Sequence, residues 1–240
     1  MNLTASGLRK RFGRRWVVEG VDIEVRPGET VGLLGPNGAG KTTTFYMLVG
    51  IERPDAGTVR IGDHEVTHEP LYKRARRGIR YLPQEPSVFQ RMTVIDNIIA
   101  VLEIAGVPRE QRRLIARERL EEFGLSHLER QRGYMLSGGE RRRLEIARAM
   151  ATEPAFFLLD EPFAGIDPLA VEDLQRLVRG ICQRGIGVLI SDHNVRETLT
   201  LCDRAYVMDA GAVLVEGAPE QITSHAEARA RYLGEKFRLN

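Results

Sequence analysis

Val31-Gly32-Leu33-Leu34-Gly35-Pro36-Asn37-Gly38-Ala39-Gly40-Lys41-Thr42-Thr43 is the stretch on which the fold turns. Val31 to Leu34 is apolar on both faces, as a central parallel strand must be. Gly35 and Gly40, with four residues between them, then lead through Lys41 and Thr42 into a helix expected from Lys41 to Val49. The glycines let the backbone turn its N–H groups toward phosphates, Lys41 brings a point charge for the β and γ groups, and the Thr42 hydroxyl can bind Mg²⁺. An ordinary glycine-rich turn is the bland alternative, but strand, loop and helix in this order are the setting that a phosphate-binding loop requires.

Working outward, Val21, Ile23 and Val25 alternate with Asp22 and Glu24 up to the turn at Arg26-Pro27-Gly28-Glu29, which reads as a half-buried strand. Short apolar runs recur at Ile79 to Leu82, Phe156 to Leu159, Val188 to Ile190 and Ala205 to Met208. Their alternation with helical stretches predicts an α/β domain with a parallel sheet covered on both faces. Thr93 to Arg130 breaks the rhythm and reads as amphipathic helices interrupted near Gly106-Val107-Pro108 and Gly124. A turn at Asp209-Ala210-Gly211 and a helix from Ala226 to Leu233 are expected near the end.

Of the 240 residues 42% are hydrophobic, enough for one sizeable core or two modest ones, which excludes disorder. Lys and Arg number 35 against 33 Asp and Glu. That balance gives no bulk field to hold a nucleic-acid backbone, so an anion site must be local and no nucleic-acid partner is expected. Cys182 and Cys202 have no companions to suggest a metal, and a reducing cytoplasm fits them best. No apolar run approaches the roughly 18 to 20 residues of a membrane span, and Met1 to Lys10 lacks the core of a signal peptide, so a soluble chain is expected.

Two more stretches carry chemistry. Phe156-Phe157-Leu158-Leu159-Asp160-Glu161 ends an apolar strand in adjacent acids. Beside a phosphate loop, Asp160 suits the Mg²⁺ shell and Glu161 suits a base that orients or deprotonates the attacking water; a simple cap is the other reading. In Leu136-Ser137-Gly138-Gly139-Glu140, Ser137 and Glu140 have capping-box spacing. Such a helix start attracts anions, and the glycines, poor helix formers, suggest that something approaches this backbone closely.

Together these stretches resemble the nucleotide-binding subunits of ATP-binding cassette (ABC) transporters. Gly35 to Thr42 looks like the family's Walker A loop, Phe156 to Glu161 like Walker B, Leu136 to Glu140 like its signature motif, Gln84 like its Q-loop, Ala164 to Asp167 like its D-loop, and His193 like its switch histidine. The resemblance spans the chain. It implies a P-loop α/β fold with a mixed sheet core, an N-terminal antiparallel β subdomain and an inserted helical subdomain. The nucleotide-binding core would cover 1–84 and 152–240, and the helical subdomain about 85–151.

The family further implies ATP and Mg²⁺, with two copies stacked head to tail so that each ATP lies between one Walker A loop and the other copy's signature. Phe12, Gly35, Pro36, Asn37, Gly38, Ala39, Gly40, Lys41, Thr42, Thr43 and Gln84 would hold nucleotide from one side, and Ser137, Gly138 and Gly139 from the other. Thr42, Gln84 and Asp160 would hold the metal, and Lys41, Glu161 and His193 would be catalytic. Phe12 stands where the adenine-stacking aromatic is more often Tyr, and a core position is its alternative. The D-loop, Ala164-Gly165-Ile166-Asp167, departs from the frequent Ser-Ala-Leu-Asp.

Membrane subunits would dock between the Q-loop and the helical insert, on Glu85 to Arg91, with Phe89 as the apolar anchor beside Arg91; Phe89 could instead be core. Val31 to Gly50, Ser137 to Arg148, Leu158 to Asp167, Ser191 to Thr198 and the closing Tyr232 to Leu239 are most similar to ATPases that drive lipopolysaccharide export in Gram-negative bacteria. That implies a homodimer on two lipopolysaccharide-export permeases at the cytoplasmic face of the inner membrane. ATPases of branched-chain amino-acid importers are the close alternative. Soluble relatives that act on nucleic acid or ribosomes usually carry two cassettes or a long coiled-coil insertion, and this sequence has neither; the clusters Arg9-Lys10-Arg11, Arg14-Arg15 and Arg74, Arg76, Arg77 read mostly as solvated faces.

Overall fold

A computed structural model describes residues 1–165, 168–235 and 237–239, with the backbone alone at 168–170. Ile166 and Asp167 of the expected D-loop lie outside the described residues. The elements run β1 (Leu3–Phe12), β2 (Arg15–Val25), β3 (Thr30–Leu34), α1 (Lys41–Val49), β4 (Ala56–Ile61), β5 (His64–Glu65), α2 (Leu71–Arg76), β6 (Ile79–Leu82), α3 (Val94–Ile104), α4 (Arg109–Glu122), α5 (Gly138–Met150), β7 (Phe156–Asp160), α6 (Pro168–Gln183), β8 (Gly187–Ser191), α7 (Val195–Leu201), β9 (Arg204–Asp209), β10 (Ala212–Gly217) and α8 (Pro219–Ser224).

Two sheets result. Six strands in the order β10-β9-β3-β8-β7-β6 form the central sheet, and β2-β1-β4-β5 form an antiparallel sheet beside it. In the central sheet β9, β3, β8, β7 and β6 are parallel neighbours. The antiparallel edge strand β10 makes the sheet mixed. It returns through a two-residue turn, Ala210 at φ 47° and Gly211 at φ 89°. Two positive φ values in a row match the right-handed twist of the flanking strands.

Every residue of β3, β7 and β8 is buried, which is why these segments are continuously apolar rather than alternating. Phe157, Leu159, Val188 and Ile190 face one core, shared with α3 to α6. Phe156, Leu158, Leu189, Val31 and Leu33 face the other, shared with α1 and the antiparallel sheet. A third cluster of Leu34, Leu199, Val207 and Ile222 is covered by Tyr232, Leu233, Phe237 and Leu239 of the tail. The expected Ala226–Leu233 helix is one α turn, Ala226–Ala228, that widens into a π-helix over Arg229–Leu233.

One basic residue departs from the solvated-face reading. Arg76 and Arg77 are exposed, but Arg74 is only 1% exposed. Its Nη1 donates to the carbonyls of Met47 at 2.6 Å and Leu48 at 2.7 Å, its Nε to Glu69 and its Nη2 to Thr67. The guanidinium thus satisfies the last turn of α1, where carbonyls lack partners and a cation is favoured. Lys10 is occupied as well, pairing with Glu52 at 2.7 Å and Asp55 at 3.4 Å.

Candidate active site

The loop after β3 folds tightly against the chain. Gly35 has φ 144°, and a Cβ there would lie 2.2 Å from the Met208 carbonyl; Gly40 has φ 99°, and a Cβ would lie 2.5 Å from the Val17 carbonyl. Glycine is required at both places by space as well as by backbone angle. Gly40 caps α1 with no side-chain hydrogen bond, which leaves N–H groups at the helix start to meet an anion. Gly38 and Thr42 are exposed, Thr43 is half-buried, and Ala39 is buried with its N–H on the Pro36 carbonyl at 3.2 Å.

Lys41 is buried, and its ammonium donates to the Gly35 carbonyl at 2.7 Å and the Pro36 carbonyl at 3.0 Å. Burial lowers its pKa, while Glu161, Asp192 and Asp160 act in the opposite direction. The lysine therefore already lies in the electrostatic reach of the three acids.

Those acids come from two adjacent strand ends, since Asp160 of β7 is the register partner of Ser191 of β8. Asp160 is buried. Burial pushes its carboxyl up to about 6, the Tyr81 hydroxyl pulls it down, and Glu161 and Asp192 raise it further. Glu161 follows in a left-handed conformation, φ 44°, uncommon for a residue with a side chain. Its N–H donates to the Ser191 carbonyl at 2.6 Å. Its Oε2 stands 3.4 Å from Nδ1 of His193, which is more than half exposed.

Asp192 holds this corner together. Fully buried, it accepts from the Phe163 N–H at 2.9 Å through Oδ2 and from the Asn194 N–H at 2.7 Å through Oδ1. The turn carrying Glu161 and the turn carrying His193 are thereby fixed to one carboxylate. No sequence motif marks Asp192; a carboxylate directly after the largely apolar strand β8 is its one local signal.

Gln84 is exposed two residues beyond Leu82, whose register partner is Leu159, so it stands at the same sheet end as Asp160. Phe12 is 51% exposed and thus not core. It sits at the tip of the β1–β2 hairpin, with the Lys10 ammonium 5.4 Å from its ring centre. Ser137 caps α5 in a complete capping box with Glu140. Ser137, Gly138 and Gly139 are exposed, and nothing lies within 4 Å of a Cβ built on either glycine. The close approach expected there is made by none of the described residues. Among the described residues no hydrogen bond joins 137–140 to 35–43.

A glycine-rich loop between a buried strand and a helix, an acid beside a histidine at neighbouring strand ends, and an open helix start capped by Ser137 on an inserted helical region are the arrangement of an ATP-binding cassette. The chain matches the ABC transporter family over residues 18–164 and belongs to that family. It is similar to the lipopolysaccharide export system ATP-binding protein LptB of Haemophilus influenzae, at 52% identity, and of Escherichia coli, at 54%, each over 99% of both chains. A probable ABC transporter ATP-binding protein of Azorhizobium caulinodans is 58% identical over 99% of this chain and 85% of its own. Among solved structures, the ADP conformation of MJ1267, an ATP-binding cassette of an ABC transporter, superposes with a TM-score of 0.86 at 29% identity, covering 98% of this chain and all of that one.

The Asp160 environment predicts a pH-dependent stability. The folded carboxyl titrates near 6 against an ordinary 3.8, so between those values the folded state binds more protons than the unfolded one. Stability from this group therefore falls as pH rises through the window and stays lower above it. Asp160→Asn is expected to raise the melting temperature of the ligand-free protein at pH 7 by roughly 4–8 °C, about 2 kcal/mol, and to leave it unchanged below about pH 4. Thermal unfolding at the two pH values checks this, and an unchanged melting temperature at pH 7 would contradict it.

Proposed function

We propose that the chain is the ATP-hydrolysing motor of a lipopolysaccharide exporter and works as a homodimer on two integral membrane subunits, at the cytoplasmic face of the inner membrane. The observation that carries the motor chemistry is the convergence of Lys41, Asp160, Glu161 and His193 on the phosphate loop. Export, rather than amino-acid import, is favoured by relatives named for lipopolysaccharide export that match from end to end.

On nucleotide binding the Lys41 ammonium exchanges the Gly35 and Pro36 carbonyls for β and γ oxygens, while Phe12 offers its exposed face to the adenine. Backbone N–H groups of Gly38 and of Gly40 to Thr43 receive the phosphates. Asp160 is buried and pairs with no cation among the described residues. With Thr42 and Gln84 it makes an all-oxygen donor set that fits a hard divalent ion. Mg²⁺, when bound, neutralises charge on the β and γ groups.

Glu161 takes the proton of the attacking water, and His193 beside it reaches the γ-phosphate. A positioned base of this kind contributes typically ~10²–10⁴-fold. The second copy brings Ser137, Gly138 and Gly139, whose open helix start covers the γ-phosphate from the other side, and Asp167 is expected at the dimer contact.

Phe89 suits the docking role because its backbone is clasped while its side chain reaches the surface. Buried Asn97 accepts from the Phe89 N–H at 2.8 Å and donates to its carbonyl at 3.1 Å, and the ring is 44% exposed with the Arg148 guanidinium 4.9 Å from its centre. Exposed Arg91 follows. A cleft of about 720 Å³ between α2 and α3, lined by Tyr72, Arg76, Arg80, Val101 and Ile104, opens on the helical side.

Phe89→Ala is expected to leave the ATPase rate of the isolated protein unchanged and weaken capture of the membrane subunits by about 30-fold, the scale of an interface anchor worth about 2 kcal/mol. Affinity purification from detergent-solubilised inner membrane tests the reading, with recovered partners identified by mass spectrometry. Export-type permeases, depleted by Phe89→Ala, are the expected result; importer-type permeases would overturn the export assignment.

A further inference from the structure

Tyr81 has no part in the motifs, yet it joins three of them. It lies on β6, three residues before Gln84. Its hydroxyl donates to Oδ2 of Asp160 at 3.3 Å. Its ring meets Phe45 at 6.0 Å and Tyr46 edge-on at 6.3 Å, both on α1, the helix opened by Lys41 and Thr42. One half-buried side chain therefore touches the helix behind the phosphate loop and the acid at the end of β7, from the strand that leads into the Q-loop.

The rest of Asp160's surroundings gives that hydroxyl its importance. Asp160 is 4% exposed, and the charged residues directly after β7 and β8, Glu161 and Asp192, are both acids that raise its pKa. Arg142 and Lys41 act on it only through space. The Tyr81 O–H is the one side-chain hydrogen bond to Asp160 among the described residues. A carboxylate with one oxygen bonded to a fixed donor keeps a defined orientation and presents its other oxygen outward. Partners of this kind around metal ligands are worth typically ~10–100-fold in metal affinity or activity.

We infer that Tyr81 is a positioning residue for the metal-bearing carboxylate: its hydroxyl, held by the aromatic contacts with Phe45 and Tyr46, turns Oδ2 of Asp160 inward and leaves Oδ1 to the Mg²⁺ of the bound nucleotide. The inference rests on the proposed Asp160 metal role, and its test separates the two.

Tyr81→Phe keeps the ring and its aromatic contacts and removes only the hydroxyl. Binding of a fluorescent ATP analogue is measured in excess Mg²⁺ and in EDTA for the wild type, Tyr81→Phe and Asp160→Asn, and Mn²⁺ binding to the nucleotide-loaded proteins is followed by electron paramagnetic resonance. The expected result is unchanged affinity of Tyr81→Phe in EDTA, with its Mn²⁺ affinity and the Mg²⁺ gain in nucleotide affinity falling about 10-fold or more, toward the behaviour of Asp160→Asn. If Asp160→Asn responds to metal and Tyr81→Phe matches the wild type, the positioning role is overturned. If the wild type and Asp160→Asn bind metal alike, the Asp160 metal role itself fails. Equal weakening of Tyr81→Phe with and without metal would mark a packing role only and also overturn the inference.

Discussion

Glu161→Gln is expected to lower steady-state ATP turnover by about 10²–10⁴-fold while leaving nucleotide affinity within a few-fold of the wild type. The exchange is nearly isosteric. The position of the side chain is fixed by the main chain, through the left-handed φ of 44° and the N–H bond to the Ser191 carbonyl. The turn therefore has no reason to move when an amide replaces the carboxylate. Lys41 keeps its place in the loop, and Asp192 continues to hold the Phe163 and Asn194 amides. What disappears is the only property asked of Glu161, the acceptance of a proton. Steady-state phosphate release and equilibrium nucleotide binding separate the two effects, and a variant that retains a tenth or more of the wild-type rate would remove Glu161 from the base role.

The second large effect falls on stability. Arg74→Met is expected to cost about 3–5 kcal/mol, which at this length lowers the melting temperature by roughly 6–20 °C. Methionine matches the buried stem of arginine but donates nothing. The carbonyls of Met47, Leu48, Glu69 and Thr67 would all lose a charged donor in a site with almost no solvent access. Leaving buried acceptors unsatisfied is what makes such truncations severe. Lysine should recover only part of the loss, because one ammonium cannot reproduce the planar fork that reaches four carbonyls. Thermal and urea unfolding of the ligand-free protein decide the matter; a Met variant melting within about 2 °C of the wild type would mean that water replaces the guanidinium at the end of α1.

The contrast between Arg74 and its neighbours shows what was legible in the sequence. Arg74, Arg76 and Arg77 look alike as a string, and only the return of α2 past the end of α1 buries the first of them. The strands β3, β7 and β8 were readable because burial on both faces leaves a continuous apolar run. β1 was not, because its register shifts between Ala5 and Leu8, so that Leu3, Ala5 and Leu8 share the buried side without keeping a period of two. The same division runs through the site. Phosphate loop, acid pair and capping box are each built from neighbouring residues and stand out as motifs, whereas His193, which meets Glu161 across two strand ends, is singled out by the family resemblance. Tyr81 and Asp192 act on atoms 79 and 29 residues away and carry no local pattern. The two exposed glycines after Ser137 lie between these cases: their sequence points to a close approach, and no described residue comes within 4 Å of a Cβ built on either.

The central claim is that ATP is enclosed between two chains, the loop of one and the capped helix of the other. Sedimentation equilibrium of Glu161→Gln with ATP and Mg²⁺, against the same protein without nucleotide, tests it most directly. The account predicts twice the 27.0 kDa chain mass with ATP, and return to the single mass when Ser137 is also replaced by a bulky residue. A species of 27.0 kDa that holds ATP at saturation would contradict it.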